Sequence, residues 1–145
     1  MPGEPQKLRV FLAEDNLGDV YLIKEALRAN NYAFEIDRSE DGESSLGKLS
    51  RFVAGDVPDL IIIDLNMPKI DGLDLLRYVR SSQLLATVPV MILTSSCSPQ
   101  DRLEAERLGA NAFITKPPTL NEFLSAIGSG IRSAVSPAAR PSSAV

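Results

Sequence analysis

Glu14, Asp15, Asp64, Asn66, Thr94 and Lys116 are the residues of this sequence whose types and spacing could do chemistry. Glu14 and Asp15 follow one short apolar run, Asp64 ends a second, with Asn66 two residues on, and Thr94 ends a third. Lys116, followed by Pro117, comes after a fourth. If these runs are neighbouring strands of one sheet, three acids, a hydroxyl and an amine converge on one rim. Crowded carboxylates repel, a unit-charge pair at ~4 Å costing about 4 kcal/mol at an intermediate effective dielectric. Such a cluster is expected where a cation belongs. Oxygen ligands alone favour a hard ion, and Mg2+ with retained waters fits best. Lys116 adds a fixed positive charge. A carboxylate beside a divalent cation, a lysine and a hydroxyl donor suits phosphoryl transfer, in which the protein mainly positions groups and neutralises oxygen charge. One carboxylate can itself be the nucleophile and become an aspartyl phosphate.

The elements that would position these residues are legible. Strands are expected at residues 8–13, 33–38, 60–63, 88–93 and 112–114. The third and fourth runs are continuously apolar, as in strands covered on both faces, and Pro89 belongs at the start of its strand. Four helix starts carry capping residues followed three positions later by an acid: Asn16 with Asp19, Asp71 with Asp74, Ser98 with Asp101, and Thr119 with Glu122. The last is a capping box, each side chain serving a backbone donor. Gly109 is placed to stop the fourth helix, while Gly128 and Gly130 weaken the end of the last. Alternating strands and helices of these lengths predict an α/β fold. It is a doubly wound, flavodoxin-like five-stranded parallel sheet of order 2-1-3-4-5, with helices on both faces.

The 145-residue chain suits one domain, with 44% hydrophobic and 23% charged residues. Residues 1–7 read as a flexible segment, 8–133 as the domain and 134–145 as a disordered tail. The net charge of −4 argues against a nucleic-acid partner or an anionic membrane surface. Without histidine, and with Cys97 the single cysteine, there can be no internal disulfide, His-based metal site or Ser-His triad. No signal peptide is visible, and no apolar run approaches a membrane span. A cytoplasmic setting is expected.

Four segments together resemble the receiver domains of two-component response regulators. They are Ala13-Glu14-Asp15-Asn16, Asp64-Leu65-Asn66-Met67-Pro68-Lys69-Ile70-Asp71-Gly72, Val90-Met91-Ile92-Leu93-Thr94-Ser95 and Ile114-Thr115-Lys116-Pro117. The resemblance spans roughly residues 8–133. It implies that Asp64 accepts a phosphoryl group from a sensor histidine kinase or a phosphotransfer protein. Glu14, Asp15, Asp64 and the Asn66 backbone carbonyl would hold Mg2+, directly or through water. Lys116 would pair with Asp64 and the phosphoryl group, Thr94 would bond a phosphoryl oxygen, and Lys116-Pro117 would be a cis peptide. Phe113 matches an aromatic position whose rotamer reports activation, commonly Tyr in the family. The pattern is that of a stand-alone, chemotaxis-regulator-like receiver that assists its own phosphorylation and slow dephosphorylation. The stretch from Glu14 to Val20, followed by residues 22–27, is similar to receivers that serve phytochrome-type kinases.

Each residue has a plainer reading. Glu14-Asp15 could be a solvated loop, Thr94 a strand-end hydroxyl, Asn66 a turn residue, Phe113 a core aromatic and Cys97 incidental. A phosphatase with a strand-end Asp nucleophile would need a second acid at position 66, where Asn stands. A degenerate docking module would lack acceptor-site residues that are present. A flavin protein of the same fold would need a Ser/Thr-rich phosphate cradle. Thr94, Phe113 and Lys116 border the face formed by the fourth helix (99–108), fifth strand (112–114) and fifth helix (120–132). That face is the expected surface for homodimerisation or for a downstream protein target, with Arg102, Glu104, Arg107 and Glu122 available for pairing.

Overall fold

The computed structural model describes residues 7–95 and 98–135. Strands and helices alternate: β1 (Leu8–Ala13), α1 (Leu17–Ala29), β2 (Phe34–Ser39), α2 (Gly42–Leu49), β3 (Leu60–Asp64), α3 (Gly72–Ser81), β4 (Val90–Thr94), α4 (Pro99–Arg107), β5 (Ala112–Thr115) and α5 (Leu120–Ala134). All strand pairs are parallel, and the order is β2-β1-β3-β4-β5. The flavodoxin-like expectation therefore holds, with strand ends within two residues of the anticipated ones.

β3 shows why the sheet has two covered faces. Its side chains alternate by the two-residue strand period, so Leu60 and Ile62 join one core while Ile61 and Ile63 join the other. The first core includes Ile23 and Leu27 of α1 with Phe123, Ile127 and Ile131 of α5. The second includes Leu75, Leu76 and Val79 of α3 and Ala105 of α4. Every residue of β3 and β4 is buried, whereas all four of β5 are only partly so.

The caps form as expected at Asn16, Asp71, Ser98 and Thr119. The capping box at Thr119 closes differently, since the Thr119 hydroxyl donates to the Glu122 carboxylate (3.0 Å) and accepts from the Glu122 amide. α2 is capped by Asp41, whose side chain accepts from the Ser44 amide. Gly109 takes the anticipated positive φ of 94°.

Three sequence expectations are corrected. Gly128 and Gly130 are buried inside α5, where a Cβ at Gly130 would lie 2.7 Å from Met91 Sδ of the sheet and one at Gly128 2.5 Å from Asn30 Nδ2 at the end of α1, so these close approaches explain them. Ala134 and Val135, assigned to the tail, are buried in the first core; the rest of that segment and Met1 to Gln6 lie outside the described residues. No cis peptide occurs among the described residues, so the Lys116–Pro117 bond is trans. Trans is the lower-energy isomer by about 0.5–1 kcal/mol before proline, and here the Lys116 amide extends the pairing with β4 by donating to the Thr94 carbonyl (2.7 Å).

Candidate phosphoryl-transfer site

The parallel sheet brings the carboxyl ends of β1, β3, β4 and β5 to one rim, and the expected residues meet there. Glu14 and Asp15 leave β1, Asp64 closes β3, Thr94 closes β4, and Lys116 follows β5. One carboxylate oxygen each from Glu14, Asp15 and Asp64 lies within 4.8 Å of the others. Glu14 and Asp64 are buried while Asp15 is exposed, so the cluster has a sheltered floor and an open mouth.

Lys116 Nζ is the cation of this cluster, 3.3 Å from Asp64 Oδ2 and 3.5 Å from Glu14 Oε1. Its shortest ion pair is to Asp19 Oδ2, at 2.7 Å. Asp19 was read from sequence only as a first-turn helix acid. It stands in the first turn of α1, which begins directly after the Glu14-Asp15-Asn16 segment, and that placement was the available signal.

Electrostatics follow from this count of charges. Burial raises the Glu14 carboxyl from the usual range to about 8, helped by its hydrogen bond and repulsion with Asp64, against the pull of Lys116. Burial alone would lower the Lys116 ammonium, but the hydrogen bond to Asp19 and the charges of Glu14, Asp64 and Asp19 raise it above its ordinary value. One ammonium cannot neutralise four acids. An all-oxygen cluster with surplus negative charge fits a hard divalent cation held by Glu14, Asp15 and Asp64.

Asn66 ties the rim together. Its amide donates to Asp64 Oδ1 (2.9 Å), and its side-chain oxygen accepts from Thr94 Oγ1 (3.1 Å), Ser95 N (3.0 Å) and Ser95 Oγ (3.1 Å). Thr94 is fully buried. Phe113 is partly buried against the second core, and the Arg102 guanidinium lies 5.4 Å from its ring centroid. Ser96 and Cys97 lie outside the described residues.

Comparison with known proteins agrees with this geometry. Residues 10–128 match the model of the response regulator receiver domain family. The chain is 31% identical over 116 residues to the probable methanogenesis regulatory protein FilR2 of Methanothrix harundinacea, covering 79% of this chain and 75% of that protein. It is 29% identical to response regulator Rcp1 of Synechocystis, over 83% of this chain and 84% of the relative. Other relatives are longer, this chain spanning 44% of the transcriptional regulatory protein TrcR of Mycobacterium tuberculosis. Among solved structures, the phosphorylated cyanobacterial phytochrome response regulator RcpA superposes with a TM-score of 0.81 at 30% identity, covering 90% of this chain and 96% of that one. The bacteriophytochrome response regulator AtBRR gives 0.67 at 35%, with 89% and 95% covered. With the family model spanning most of the sequence and the acidic rim in place, the chain belongs to the response regulator receiver domain family of two-component systems.

Proposed function

We propose that Asp64 is the phosphoacceptor and that transfer to it depends on Mg2+ held by Glu14, Asp15 and Asp64. The observation that carries this reading is the three-carboxylate cluster with Lys116 Nζ 3.3 Å from Asp64. A carboxylate oxygen of Asp64 attacks phosphorus, its bond to the donor breaks, and the donor leaves with the bonding electrons. A bound divalent cation would draw off negative charge from the transferring oxygens. Lys116 supplies a second cation on the same side, and Asn66 fixes the Asp64 carboxylate through its amide. Water attack on phosphorus reverses the modification, releasing inorganic phosphate and restoring Asp64.

The donor is a sensor histidine kinase or a phosphotransfer protein. Likeness to the phytochrome response regulator RcpA and the bacteriophytochrome response regulator AtBRR supports a phytochrome-type kinase. The output face is α4–β5–α5, with Thr94 and Phe113 as its switch residues, presented to a protein target or a second copy. Its charges are partly engaged within the chain, Glu104 with Arg77 and Arg107 and Arg102 with Glu106, so a partner there must exchange existing pairs.

Incubation with Mg2+ and acetyl phosphate tests the acceptor assignment. Intact mass should increase by one phosphoryl group in the wild type and not at all in Asp64→Asn. A mutant that keeps the label on another residue would overturn the assignment.

A further inference from the structure

Lys116 has to serve two masters, and the geometry shows which it now favours. An ammonium has three donors, and here three acidic side chains, Asp19, Asp64 and Glu14, compete for them. Charge-assisted N–H···O bonds are strongest at about 2.7–2.9 Å. Only the Asp19 contact, at 2.7 Å, falls in that range; Asp64 at 3.3 Å and Glu14 at 3.5 Å lie beyond it. The pair is sheltered, with side chains 15% and 18% exposed, so solvent screens it little. Asp19 itself is held in the first turn of α1, its amide donating to Asn16 Oδ1 (2.9 Å), so the helix start anchors the carboxylate that draws the ammonium away.

Building on the assignment of Asp64 as acceptor, we infer that Asp19 is a positioning residue that draws Lys116 toward α1 until a phosphoryl group arrives. A phosphoryl group on Asp64 brings about −1.5 to −2 of charge and three acceptor oxygens. Lys116 then turns to it, and the short pair with Asp19 is lost or lengthened. Breaking that pair opposes formation of the phosphorylated state. Asp19 therefore sets how readily the site takes its anion, without touching the reacting atoms.

Removing the competitor should pre-position Lys116. Asp19→Asn should bind beryllofluoride, a phosphoryl mimic, about tenfold more tightly in Mg2+, a change of ~1.4 kcal/mol. It should also raise the fraction labelled by acetyl phosphate. Loss of a negative charge would favour an anion anyway, so the decisive measurement is a double-mutant cycle with Lys116→Ala. If Asp19 acts through the ammonium, Asp19→Asn shifts affinity by less than twofold in the Lys116→Ala background, and Asp19→Glu restores part of the wild-type restraint. An equal shift in both backgrounds would reduce Asp19 to a general field effect and overturn the inference, as would no shift in either. Thermal melts of each variant confirm folding, with Asp19→Ser as the substitute should Asp19→Asn not fold. A wild type that binds no beryllofluoride refutes the acceptor assignment, whereas normal wild-type binding with an unresponsive Asp19→Asn refutes only the role of Asp19.

Discussion

Glu14 makes the site's charge imbalance measurable. Its carboxyl is held at about 8 in the folded chain, above the ordinary value near 4.5, first by burial and then by Asp64. Between those values the folded state binds more protons than the unfolded state, so metal-free stability falls as pH rises through that window. A divalent cation favours the ionised form and should flatten the dependence. Urea melts across pH 5 to about 8, with EDTA and with Mg2+, read this directly; a metal-free stability that rises over that range would contradict the burial argument. Asp15→Ala should weaken Mg2+ binding, measured by calorimetry, while raising metal-free stability, because one member of a repelling group is gone. Lys116→Ala should still accept some phosphoryl label, with Asp64 and the metal ligands in place, yet lose most of the conformational response. Glu14, Asp15, Asp64, Thr94 and Lys116 were legible in sequence because strand ends are legible. Asp19 was not, because an acid in a first helical turn already has a sufficient local reason to be there.

At the scale of elements, the loops owe their shape to a few close contacts. α2 starts against the β3–α3 loop, where a Cβ on Gly42 would fall 2.3 Å from the Ile70 carbonyl oxygen. Gly42→Ala should therefore cost about 1–3 kcal/mol in chemical denaturation, since backbone must move. On the far side, Arg80 of α3 donates to the carbonyls of Ala86, Val88 and Gly109 and to Asn111 Oδ1. It thereby joins the chain before β4 to the turn after α4. Arg80→Ala should lower stability by about 1–2 kcal/mol in the same measurement, because the part-buried carbonyls of Ala86 and Val88 lose a charged donor. Neither contact was readable beforehand. Helix caps and the two-residue strand period are local signals, so β1, β3 and four helix starts could be placed within a residue or two. What Gly42, Gly130 and Arg80 do depends on segments distant in sequence, and composition is silent on that. The same reason explains the Ala134 and Val135 boundary: a short apolar pair at a polar tail acquires meaning only once the sheet face beneath α5 is known.

Across the whole molecule, burial is unequally shared. β3 lies between β1 and β4 and is buried throughout, whereas β5 is an edge strand, and α4 buries only Ala105. Local opening costs least where few apolar contacts hold the backbone. Amide exchange should therefore be slowest in β3 and faster in α4 and β5. Beryllofluoride should change protection mainly in α4, β5 and α5; changes confined to α1 and α2 would sink the assignment of the output face. The position of Asp64 as the last residue of β3 has a mechanical consequence. With Asp64 as the proposed acceptor, the chemical event would be delivered to a strand buried along its whole length, which works as an anvil and yields little. Lys116, which follows the partly buried edge strand β5, would then travel to meet the new charge, so strain runs one way, out toward the compliant edge.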